Sequence, residues 1–224
     1  MNEIAKYETN HGQVSPWAEY ANDVLASAIA GDLLKFAKGD WLRGEGNEAV
    51  PDDASFLTNM NELWTGWQRW EDGHPVEHRL SRLIDRAPKI QRDELGYTDK
   101  SAWETDNNGA PRDPWQMTDR LVMRDDATQE LCTFATSSYG GQWGLAKLLR
   151  AYAQERHKFD GRFPVVKLDV DRSWRHPKYG PIPRPLFTII GWAFWDDDAP
   201  MATEPTTPAA KLNFSREIDD DMPF

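Results

Sequence analysis

The alternation of apolar and polar positions describes a mostly β chain with one long amphipathic helix. Leu33 to Leu42 is an apolar–basic run that predicts a strand turning at Gly39-Asp40. Residues 63–70 read LWTGWQRW and lead into Asp72-Gly73, a hairpin signal after an aromatic-rich strand. Residues 120–124 and 130–136 flank Asp125-Asp126 and predict a second hairpin. Ser137-Ser138-Tyr139-Gly140-Gly141 then opens a helix at about 141–157. There Leu145, Leu148, Leu149 and Tyr152 recur with the spacing of one buried stripe. Phe163 to Val170 is a β-branched strand. Leu186 to Trp195 is a continuous apolar strand, expected at the centre of the sheet. Ahead of all these, Ser15-Pro16 caps a short helix over Trp17 to Ile29, which Gly31 ends.

Between these elements the pattern is less regular. Arg79, Arg82, Arg86, Lys89 and Arg92 recur at three- and four-residue intervals, one face of a helix, although Pro88 limits its regularity. Residues 93–113 are polar, contain Asn107-Asn108-Gly109, and predict a long excursion. From Asp196 the composition turns to Pro, Ala, Thr and acid, with too little to bury to offset ordering entropy, so a disordered linker is expected. Strands, one helix and two further strands fit an OB-fold, a five-stranded Greek-key barrel with a helix between its third and fourth strands. The expected fold class is mainly β with one to three helices: an OB-fold-like barrel with insertions plus a disordered acidic C-terminal tail. An α+β sheet of another topology is the alternative. Residues 1–195 would form the domain with its N-terminal helix, 196–216 the linker and 217–224 a terminal tip.

Composition sharpens this picture. The chain has 224 residues, 39% of them hydrophobic, and a mean hydropathy of -0.73, polar for a chain packed throughout. Eleven Trp exceed what a core needs and point to rings presented to something other than protein. The single cysteine, Cys132, excludes an internal disulfide and a cysteine-based zinc site, and reads as a buried, inert thiol. No apolar run approaches the ~20 residues of a membrane span, and Met1 to Asn10 lacks a signal-peptide pattern, so a cytoplasmic location is expected.

The net charge of -11 is unevenly placed: residues 196–224 hold eight acids and two bases. Any nucleic-acid site on the mildly acidic body must be a local basic patch. The best such patch is RSWRHPKYGPIPR, residues 172–184. Arg172, Arg175, Lys178 and Arg184 stand there with Trp174 and Tyr179, and there is no acid. Cations neutralise phosphates while rings stack on bases. The loop falls between the last two strands, where an OB-fold binds oligonucleotides. Trp64, Trp67 and Trp70, with Arg69, form a second candidate platform, and Lys35, Lys38 and Trp41 a weaker third.

Enzymatic signals are absent. His74-Pro75-Val76-Glu77-His78 has zinc-protease spacing but needs a helix, which Pro75 and the preceding turn oppose. Ser137 to Gly141 lacks the lysine of a phosphate loop. Neither a catalytic residue, a metal site nor a cofactor is expected.

The terminus, Asp219-Asp220-Asp221-Met222-Pro223-Phe224, resembles the C-terminal tip of bacterial single-stranded-DNA-binding proteins, acidic residues followed by Ile-Pro-Phe, with Met222 where Ile is usual. The resemblance implies a non-enzymatic protein that coats single-stranded DNA and docks host replication and repair proteins on this tip. Phe224 offers a ring and a free carboxylate, and the aspartates steer the tip toward basic surfaces. The segments GDLLKFAKGDWL, WQRWEDGHPV and DPWQM are similar to proteins of temperate bacteriophages, which implies a phage replication context. A decoy or adaptor that copies the tip without binding DNA is the rival reading.

Overall fold

The computed structural model describes residues 29–105, 109–177 and 180–195. The helix expected at 17–29, apart from Ile29, which is not helical, lies outside these described residues, as do Lys178, Tyr179, the linker and the tip. In chain order the strands are β1 (Asp32–Ala37), β2 (Asp40–Arg43), β3 (Glu48–Ala49), β4 (Ser55–Glu71), β5 (His74–Arg82), β6 (Trp115–Asp125) and β7 (Leu131–Thr136). Helix α1 (Tyr139–Glu155) follows, then β8 (Phe163–Asp171), β9 (Arg175–His176), β10 (Gly180–Pro181) and β11 (Arg184–Ala193). The fold is mainly β, as expected, and its main sheet curls strongly into a half-barrel compatible with an OB-fold.

The sheet order is β11-β8-β4-β6-β7-β1-β2-β3, with β5 also on β4. Within it, β4, β6, β7 and β8 lie side by side as β8-β4-β6-β7. This is the Greek-key order, a fourth strand returning beside the first. Helix α1 spans the return from β7 to β8, and β11 pairs antiparallel with β8. The pairing of β1 with β7 is parallel.

β4 is long because it serves two partners along one edge. Its first residues, Ser55 to Leu57, pair with β8, and Trp64 to Glu71 pair with β5. An irregularity between Thr58 and Leu63 separates the two halves. Asp72 and Gly73 have φ of 51° and 80°, so the β4–β5 turn is the tight hairpin that an Asp-Gly pair favours.

The core lies between the curled sheet and α1. Leu34, Phe56, Leu57, Leu121, Met123, Phe134 and Val166 meet Leu145 and Leu148 of the helix. The two ends of the sheet meet through side chains: Trp41 of β2 lies 5.3 Å from both Phe134 and Phe187 of β11. The Trp41 indole N–H donates to the Asp169 carbonyl at 3.0 Å. Edge-on aromatic contacts thus close the half-barrel where backbone pairing does not. Helix α1 approaches β11 closely because Gly144 has no side chain; a Cβ there would stand 2.5 Å from the Pro185 carbonyl oxygen.

Two local expectations need correction. Arg79 and Arg82 are on strand β5, with short 3-10 turns at Leu83–Asp85 and Arg92–Leu95, so no continuous helix carries the 79–92 cations. Backbone pairing with β4 and the break at Pro88 override the helical spacing. β11 is not central but lies at one end of the sheet order. Its apolar character serves the core through Phe187 and an aromatic stack through Trp192, whose ring lies 4.5 Å from Phe159.

Candidate nucleic-acid interface

The loop between β8 and β11 is clamped at its base. Arg184 and Asp171 are register partners, and the guanidinium meets the carboxylate at 2.6 Å. Hydrogen bonds from the Ser173 hydroxyl and amide, followed by the contact with Arg184, hold the Asp171 carboxyl down to about 2. Arg184 is buried, its guanidinium 3.6 Å from the centre of the Trp143 ring and 5.2 Å from that of Trp174. Arg184 therefore positions the two rings, and its charge is used within the protein.

Above this clamp the side chains turn outward. Trp174 is half-buried, tilted against Tyr139 at 6.1 Å and edge-on to His176 at 5.7 Å. Arg172 and Arg175 are exposed. Arg172 also reaches the β1–β2 turn, where its guanidinium donates to the Gly39 carbonyl at 3.5 Å. That contact brings exposed Lys38 beside the loop, with Lys35 half-buried three residues earlier on β1. Tyr139, 68% exposed at the first turn of α1, is the residue that sequence reading missed. Its only signal was an aromatic side chain within a Ser/Gly strand-to-helix turn.

The other predicted platforms are placed differently. Trp41 is a core residue, 6% exposed, and has no face to offer a base. Trp64, Trp67, Arg69 and Trp70 are each half-buried along β4. The Trp64 indole donates to Glu62 and that of Trp67 to the Ile90 carbonyl. Arg69 pairs with Glu71 and Glu77 and lies 4.7 Å from the centre of the Tyr97 ring. Ile90 and Tyr97 of the β5–β6 connection thus lie against this part of β4. Three cations of the basic stripe are similarly engaged: Arg79 pairs with Glu77, Arg82 with Glu62 and Asp85, and Arg92 with Asp113. Between the end of β4 and residues 97–104 and 112–114 there remains a cleft of about 430 Å³, lined by Trp70, Tyr97 and Trp103 among others.

No family model, curated protein or solved structure matches this chain.

Cys132, Arg43 and Arg120 are engaged within the fold. Burial pushes the Cys132 thiol up to about 12, which keeps it protonated and unreactive at neutral pH. Arg43 reaches Asp32, Asp125 and Glu130 at one end of the half-barrel. Arg120 is buried, bonded to Gln68 and His78, and burial works against its charge. His74 and His78 lie on strand β5, and no His/Cys/Asp/Glu group able to hold a metal occurs among the described residues. No helix among the described residues is long and apolar enough to cross a membrane.

Proposed function

We propose that this chain is a non-enzymatic single-stranded-DNA-binding protein of phage or bacterial replication, recombination or repair, acting in the host cytoplasm. The observation that carries this reading is the β8–β11 loop. Exposed Arg172 and Arg175 flank Trp174 along the chain, Trp174 lies against Tyr139, and Arg172 reaches the turn that carries exposed Lys38. The loop joins the fourth and fifth strands of a Greek-key half-barrel, and an OB-fold binds oligonucleotides with its loop at that place. Lys178 and Tyr179 belong to the same segment and extend the proposed contact. Binding keeps strands apart and protects them; Asp219 to Phe224 then bring host replication and repair proteins to the coated strand.

A second reading is favoured by one observation. Arg43, Arg69, Arg79, Arg82, Arg92 and Arg184 are all held by carboxylates, so these six cations are committed within the fold and not to phosphate. On that reading the protein copies the host tip as a decoy or adaptor and leaves DNA alone.

Salt-titrated tryptophan fluorescence with oligo-dT and with duplex separates the two. The coating reading expects quenching by the single strand, preference over duplex, and a log–log salt slope near -0.7 per phosphate neutralised. Trp174→Ala is expected to cost about 1–3 kcal/mol of binding if one base stacks there. Arg175→Ala should weaken binding and flatten the salt slope. Absence of binding to either nucleic acid would favour the decoy.

A further inference from the structure

The cleft beside the end of β4 has a volume of about 430 Å³, within the ~300–1,000 Å³ of small-ligand sites. Three aromatic rings line it: Trp70 from β4, and Tyr97 and Trp103 from the excursion. Tyr97 is 56% exposed, a large ring left open beside a cleft. Trp103 is fixed by its indole N–H, which donates to the Tyr97 carbonyl at 2.7 Å. The protein's own cations already occupy ring faces: Arg69 lies 4.7 Å from the Tyr97 centroid, and Arg92 and Lys100 each lie 5.8 Å from that of Trp103. A caged organic cation would have to displace these, whereas a flat ring needs only one uncovered face of an aromatic side chain.

The polar lining narrows the ligand further. Glu71, Asp99, Glu104 and Asp113 line it with Arg69 and Arg112, while Arg92 pairs with Asp113 and Lys100 lies over Trp103, so no net positive charge is left to hold a phosphate inside. Glu104 spends one oxygen on the Asp72 amide at 2.9 Å; a carboxylate has further lone pairs for donors. A neutral, planar ring carrying N–H donors meets both conditions. It would stack on the aromatics and donate to carboxylates, with its phosphates outside.

We infer that this cleft takes one unstacked, amino-bearing nucleobase of the bound strand, adenine, cytosine or guanine in preference to thymine. The inference rests on the strand-binding reading above. The cleft lies in the connection from β4 to β6, the first two strands of the Greek key, and the loop at that place is the other one an OB-fold turns to oligonucleotides.

The test uses the full chain with free adenosine and thymidine, and in parallel with oligo-dA and oligo-dT, followed by tryptophan fluorescence. Adenosine is expected to quench saturably, at least fivefold more tightly than thymidine. Tyr97→Ala should abolish adenosine binding, and Tyr97→Phe should retain it. Tyr97 is exposed, so an unchanged melting temperature will show that the alanine variant is folded. In Tyr97→Ala, oligo-dT binding through the β8–β11 loop should persist while the dA-over-dT preference disappears. Absence of saturation by adenosine, or saturation unchanged in Tyr97→Ala, overturns the inference. Adenosine saturation without binding to either oligonucleotide supports the cleft and overturns the strand-coating reading instead.

Discussion

Asp119 and Asp171 are two carboxyls that the fold moves in opposite directions. Asp171 accepts hydrogen bonds from Ser173 and pairs with Arg184, so its charged form is favoured. Asp119 on β6 is pushed up by burial, a shift that a hydrogen bond from Thr65 and the charge of Lys89 only partly oppose. A carboxyl whose folded value is raised weakens the fold once pH exceeds its unfolded value, because the native state holds the proton more tightly. Asp119→Asn is therefore expected to raise the melting temperature at pH 7. The gain should vanish as pH falls below the ordinary carboxyl value of about 3.9. Melting curves of the two proteins between pH 3 and pH 8 check this; a loss of stability at neutral pH would mean that the ionised carboxylate holds Thr65 usefully.

At the level of elements, β4 is the strand on which the sheet depends, and Gly66 is its most constrained residue. Its φ is 150°, and a Cβ there would stand 2.2 Å from the Arg79 carbonyl oxygen of β5. The clash is with backbone, so no side-chain rotation relieves it. Gly66→Ala should cost about 1–3 kcal/mol and loosen β5 selectively. Faster amide exchange across Leu80 to Arg82, with β8 and β11 protected as before, would show this; uniform loss of protection would place β5 inside the global folding unit. The hairpin here was legible because Asp72-Gly73 is local turn chemistry. The 79–92 stripe was misread because cation spacing is only a local pattern, whereas its carboxylate partners Glu62 and Asp113 come from distant residues.

At the level of the whole molecule, the half-barrel and the terminal tip make separable contributions under the proposed function. Deleting Ile218 to Phe224 should abolish capture of host proteins that recognise the bacterial tip. Phe224→Ala should do nearly as much, since one aromatic anchor can dominate a small interface. DNA affinity should stay constant or rise on deletion, because the acidic residues compete with phosphate for the β8–β11 loop. Pull-down with a tip-binding host protein and oligo-dT titration of the same variants measure the two effects. Host-protein capture that survives deletion would assign docking to the folded body.

The sequence by itself determined the mainly β class, the tight β4–β5 turn, the β6–β7 hairpin, helix α1 and the inert Cys132. Each follows from periodicity or turn chemistry within a short window, or from the residue type alone. The tertiary structure decided what the rings and cations face. Trp41 entered the core because β2 curls toward Phe134 and Phe187, residues far away in the chain. Arg184 became a clamp because Asp171 stands opposite it on β8. Tyr139 and Trp174 met because α1 packs on β11. A ring or a guanidinium is amphipathic, equally at home in a core, an ion pair or a ligand site, and only its long-range neighbours choose among them.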